Sequence, residues 1–113
     1  MTAHTRHTAV IGAGWAGCAA AIRAIDDFSM ACLEQAIGTV VAIKPQAALF
    51  EQQGPAGMQI LQNLGRAAID AGLLVIMDAK RGDIGSTAEH DQQAFLGQAP
   101  GLSGNALPSL NCE

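Results

Sequence analysis

The stretch Leu73–Glu89, LLVIMDAKRGDIGSTAE, constrains this chain more than any other. Leu73, Leu74, Val75, Ile76 and Met77 form an unbroken apolar run, the pattern of a short strand buried on both faces. Asp78, Lys80 and Asp83 then crowd into one short loop. Ser86-Thr87-Ala88-Glu89 follows as a capping box, a hydroxyl at the cap and a carboxylate three residues on, so a helix is expected to open at Ser86. A strand, a charged loop and a helix start belong to a parallel α/β fold, where functional groups gather at the carboxyl ends of the strands.

The spacing has chemical consequences. Positions i and i+2 of a strand point to the same side, so Asp78 and Lys80 should project together. Gly82 allows a sharp turn that would bring Asp83 back toward them. An ammonium held between two carboxylates stays protonated. Such a group delivers a proton to a carbanion, or stabilises negative charge forming beside it. Spacing leaves a second reading open: a solvated charged turn behind a buried strand, a common use of charge at strand ends.

The rest of the chain supports the same fold class. Thr39–Ile43 is β-branched and reads as a strand, ended by Lys44-Pro45. Lys44 therefore sits at a strand's carboxyl end, as a rim cation or a solvated lysine. Met58, Ile60, Leu61, Leu64, Ala67, Ala68 and Ala71 recur at helical spacing, and Gly72 terminates them. Candidate strands lie at 8–12, 39–43 and 73–77, with a weak fourth at 105–110. Helices are expected near 16–36, 56–71 and 86–96. The expected architecture is three or four parallel strands with flanking helices.

Composition excludes several functions. A net charge of −4 and the absence of Tyr argue against nucleic acid or an anionic membrane as partner. No apolar run reaches membrane-spanning length. Cys18, Cys32 and Cys112 show no paired metal spacing, so no metal site is expected and the thiols read as reduced and cytosolic.

The amino-terminal segment carries a different signal. Ala9-Val10-Ile11 could be a strand, and Gly12, Gly14 and Gly17 follow in the GxGxxG spacing that cradles a dinucleotide pyrophosphate at a helix start. Such a site wants a second strand ending in an acid, and Glu34 after Ser29–Leu33 stands at that distance. The wording GAGWAG also resembles the start of FAD-dependent amine oxidases and desaturases, over residues 8–24. The alternative function is therefore a small FAD- or NAD-binding module. Against it, residues 25–37 also fit a helix, on which Glu34 would be a surface residue.

The segment DAKRGDIGSTAE resembles the signature of orotidine 5′-monophosphate decarboxylase, in a bacterial subgroup. The likeness extends upstream through VVAIKPQAALFEQQGPAGMQILQNLGRAAIDAGLLVIM, and covers Phe28 to about Cys112. It implies part of a (β/α)8 TIM barrel, since a whole barrel takes about 250 residues. It divides the chain into an extension at 1–24 and a partial decarboxylase barrel domain at 25–113. It implies a cytoplasmic lyase of pyrimidine biosynthesis that works without cofactor on orotidine monophosphate, as a homodimer. Lys80 would stabilise and protonate a C6 carbanion, and Asp78 would hold Lys80, sit near the substrate carboxylate and contact the ribose. Lys44 would contact the ribose, and Asp83, Ile84 and Thr87 would reach the neighbouring subunit's site. The family's opening strand, with its ribose-binding Asp, and its phosphate-gripping loops have no counterpart here, so the resemblance implies an incomplete copy, with a non-functional fragment as the further alternative.

Overall fold

A computed structural model describes residues 15–97 and two short strands at 99–100 and 106–107. The expected strand at 8–12 lies outside the described residues.

Helix α1, Trp15–Ala36, is continuous over 22 residues and runs unbroken past residues 24 and 25. Ser29–Leu33 is therefore helical, and the strand reading of that segment is overturned. Alanine-rich flanks propagate a helix, and the segment holds no β-branched side chain to favour a strand. One face packs inward through Leu33, with Ile22, Ile25 and Met30 half-buried against the core. Phe28 and Cys32, though apolar, are exposed. Gly38 stops the helix at a φ of +77°, and the Ala36 carbonyl accepts from the Thr39 and Val40 amides.

Strands β1, Ala42–Ile43, and β2, Leu74–Val75, pair in parallel, with Ala42 opposite Leu74 and Ile43 opposite Val75. Between them run α2, Ala47–Glu51, and α3, Gly54–Asp70, which make the crossover that parallel neighbours require. The ladder outlasts the strands. The Leu74 amide donates to Val41, Ile76 to Ile43 and Asp78 to Pro45, and Ala47 donates back to Asp78.

Helix α3 buries Gly57, Ile60, Leu61, Leu64, Gly65 and Ala68, one stripe at helical spacing. Pro55 occupies its first turn, where no amide donor is needed. Gly72 ends it at a φ of +82°, its amide bonding Ile69 O at 2.9 Å and the Leu73 amide bonding Ala68 O at 2.9 Å. That reciprocal pair is a Schellman cap, and it delivers Leu73 straight into the core. Helix α4, Gly85–Phe95, contributes Phe95 to the same core.

At Gly57 the backbone of α3 runs against the end of α2. A Cβ there would lie 2.0 Å from Phe50 O and 2.7 Å from Gln53 Cβ. Backbone cannot retreat from such a clash without separating the helices. Gly57→Ala is expected to cost about 1–3 kcal/mol, read as a lower urea midpoint. Gly82→Ala is the control, because a Cβ there meets nothing within 4 Å.

Two expectations about the strands need correction. The Leu73–Met77 run is buried on one face only: Leu73 and Val75 face the core, while Leu74 and Ile76 are 50% and 48% exposed. The unbroken apolar run suits cover on both faces, and among the described residues helices cover one. The sheet holding the site has two parallel strands among the described residues, and the further strand expected at 8–12 lies outside them. The weak fourth strand appears as β4, Ala106–Leu107, antiparallel to β3, Ala99–Pro100, in a separate pair. A short link suits that geometry, whereas a parallel crossover needs a dozen residues or more.

Candidate active site

The two parallel strands end side by side, and their register decides which side chains meet. Beyond β1 the chain continues through Lys44, Pro45 and Gln46; beyond β2 it reaches Asp78. Gln46 and Asp78 form a further parallel bridge. Asp78 is clamped from both sides, its amide donating to Pro45 O at 3.1 Å and its carbonyl accepting from the Ala47 amide at 3.1 Å. Proline suits that place, since only its acceptor is used.

The clamp aims the Asp78 carboxylate at two cations. Lys44 Nζ lies 3.1 Å from Oδ2, and Lys80 Nζ lies 2.5 Å from Oδ1. The carboxylate is only 18% exposed, while the lysines are 63% and 65% exposed. One sheltered anion thus organises two solvent-facing ammoniums. Asp78 and Lys80 meet as their spacing predicts, but through a turn rather than a continued strand. Lys80 has a φ of +52°, in the left-handed region that a lysine adopts at a cost.

The Lys80 hydrogen bond, then that of Lys44, holds the Asp78 carboxyl below its ordinary range against the opposing effect of burial. A depressed folded-state value adds stability above the unfolded carboxylate range, and that stability is lost as pH falls through the folded value. The urea midpoint should therefore drop on acidification below about pH 4, and Asp78→Asn should flatten that drop. An equal acid-side drop in the variant would refute the linkage. Because both lysines are exposed, the effect should shrink with added salt.

Asp83 does not turn back to Lys80, and this corrects the role expected of Gly82. The left-handed residue is Lys80, and Asp83 faces Asp91 and Arg81 instead. Hydrogen bonding to Asp83 raises the Asp91 carboxyl above its ordinary value, helped by burial and opposed by Arg81 and His90. Among the described residues Asp91 Oδ2 is buried with no donor, and a proton shared with Asp83 would supply one. Ile84 is 87% exposed, and Thr87 is exposed on α4. The structure thus gathers Lys44, Asp78 and Lys80, and leaves Asp83, Ile84 and Thr87 outside their cluster.

Helix α4 starts at Gly85, with extended Ile84 as its cap and no side-chain cap bond. The expected capping box at Ser86 is absent because Gly85, at a φ of +61°, starts the helix earlier and puts Ser86 in its first turn. His90 is exposed, its Nδ1 2.6 Å from Ser86 O.

Sequence reasoning missed Arg81, Glu51 and Asp91. Arg81 bonds Glu51 on α2 and lies 3.9 Å from Asp91 on α4. No local spacing reveals a pair thirty residues apart.

For the dinucleotide alternative, Gly12 and Gly14 lie outside the described residues, and Gly17 falls within α1. Glu34 is an exposed residue of α1, not the end of a second strand, so that requirement is unmet. Among the described residues no cluster of His, Cys, Asp or Glu could hold a metal ion. None of their helices is long and apolar enough to cross a membrane.

Parallel strands ending in a lysine–carboxylate–lysine cluster define an α/β protein with a charged site on its strand ends. Residues 21–99 match the model of the orotidine 5′-phosphate decarboxylase / HUMPS family. The chain belongs to that family. The orotidine 5′-phosphate decarboxylase of Corynebacterium glutamicum is 44% identical over 81 residues, 72% of this chain and 29% of that protein. That of Rhodopirellula baltica is 49% identical over 76 residues, 67% of this chain and 25% of that protein. A Streptomyces avermitilis crystal structure, described as such a decarboxylase, superposes with a TM-score of 0.64 at 43% identity. The match covers 66% of this chain and 26% of that one. The chain spans under a third of the length of these relatives, and its kinship is with the decarboxylase rather than with a dinucleotide-binding oxidoreductase.

Proposed function

We propose that the chain carries the central charged site of an orotidine 5′-monophosphate decarboxylase, which releases carbon dioxide to leave uridine monophosphate. The observation that carries this reading is the Asp78 carboxylate held between Lys44 and Lys80 at the ends of two parallel strands. The bond from C6 to the carboxyl carbon breaks, carbon dioxide departs, and the electron pair stays on C6. The Lys80 ammonium stabilises that charge and gives C6 its proton; the neutral amine then regains one from solvent. Asp78 orients Lys80 and faces the substrate carboxylate, disfavouring that charge in the ground state. Lys44 and Asp78 hold the ribose.

Asp83, Ile84 and Thr87 belong in this reading to a site shared with a second copy, which accounts for their exposure. The protein is then a cytoplasmic homodimer that needs no cofactor, with residues 25–113 forming the barrel part and 1–24 an extension. The test is release of carbon dioxide from orotidine monophosphate by the purified chain across a range of chain concentrations. Release above the uncatalysed rate, rising more than linearly with concentration, supports a shared site. No release at any concentration refutes the proposal for this chain.

A further inference from the structure

The left-handed backbone of Lys80 needs something to hold it, because a residue with a Cβ is disfavoured there. Upstream, the ladder bonds of Asp78 fix the chain. Downstream, the next residue is Arg81, whose guanidinium meets four groups. It donates to Ala79 O at 2.8 Å within the loop and to Glu51 Oε1 on α2. Its Nε lies 3.9 Å from Asp91 Oδ1, and its central carbon lies 5.1 Å from the ring centre of Phe95, both on α4. Phe95 is part of the buried core, so this contact ties the loop to that core.

We propose that Arg81 is the positioning residue of the site: by fastening the loop to α2 and α4, it keeps Lys80 in its left-handed turn with the ammonium against Asp78. The proposal rests on the reading of Lys80 as the proton donor, and deepens it. Arginine suits the task because its planar fork bonds a carboxylate and a carbonyl while its face lies on an aromatic ring. A lysine offers one compact charge and cannot do all three. The surrounding charges agree: Glu51 chiefly, with Asp91 and Asp83, holds the guanidinium firmly charged. Arg81 itself makes no bond to Asp78, so its influence there must pass through Lys80.

The test reads the Asp78 carboxyl by carbon-13 NMR titration of the full chain, assigned by its loss in Asp78→Asn. Arg81→Gln is expected to move the Asp78 midpoint upward, toward the ordinary carboxylate range, in the same direction as Lys80→Ala. In a Lys80→Ala background, Arg81→Gln should move it no further. Arg81→Lys should restore only part of the shift. An unchanged midpoint in Arg81→Gln, or an equal shift with and without Lys80, overturns the proposal. If Arg81→Gln fails to fold, Glu51→Gln removes the anchor on α2 and is read by the same cycle, with the same two outcomes. No substrate enters this experiment. A Lys80-dependent shift in a chain that never decarboxylates would refute the proposed activity and leave Arg81's role standing, and an active chain with an unmoved midpoint would do the reverse.

Discussion

Lys80→Ala is expected to lower decarboxylation of orotidine monophosphate by at least about 10³-fold, because one side chain performs two tasks. In the proposed reaction its ammonium faces the developing carbanion and is the proton source that ends the reaction. Alanine removes both. The neighbouring cation does not compensate, since Lys44 approaches the other carboxylate oxygen, Oδ2, while Lys80 holds Oδ1. Lys80→Arg separates the two tasks. It keeps a cation near Asp78, but a guanidinium holds its proton too tightly to give it up, so the rate should stay low. Product formation followed by ultraviolet absorbance, with each variant's circular dichroism checked against the parent, reads the result. Near-parental turnover in Lys80→Ala would remove Lys80 from the reaction. Recovery in Lys80→Arg would mean that charge, not proton delivery, is what the site supplies.

Much of the fold follows from local pattern, and the departures have physical causes. The α3 stripe and its Gly72 stop are visible because 3.6-residue periodicity and a left-handed cap are both local signals. The strand positions were visible too, though their regular pairing shrinks to two residues each because a strand exists only as far as its neighbour pairs with it. What the pattern hid is non-local. Nothing near Leu74 or Ile76 says that one sheet face is left uncovered among the described residues. Nothing around Ser86 says that Gly85 starts the helix first.

The site divides in the same way. Asp78 and Lys80 meet as their short spacing suggests, and Lys44 joins because the parallel register brings the two strand ends level. Asp83 departs from expectation because the left-handed turn falls at Lys80 instead of Gly82, which points the following residues toward α4. The salt links of Arg81 cross from the loop to α2 and α4, and only the folded chain brings them together.

Leu61→Ala is expected to be the most damaging core truncation, costing about 2–5 kcal/mol. Leu61 is fully buried, at 0% exposure, and of the fully buried side chains it and Val75 are the largest. It lies mid-way along the buried α3 stripe, in the core that also holds Leu73 and Val75. A small core has few ways to collapse around a missing isobutyl group, so most of the vacated volume stays empty and its lining loses its packing. A domain of this size is stabilised by about 5–15 kcal/mol at most, so the substitution removes a large share. Leu74→Ala is the contrast: the same atoms are removed from a half-exposed position, and the loss should stay below about 1 kcal/mol. Urea denaturation followed by circular dichroism reads both. A midpoint for Leu61→Ala near the parent's would mean that the α3 stripe does not pack the core as described. A loss at Leu74 as large as that at Leu61 would show that the open sheet face is covered in solution, and the apolar run of β2 would then be buried on both sides.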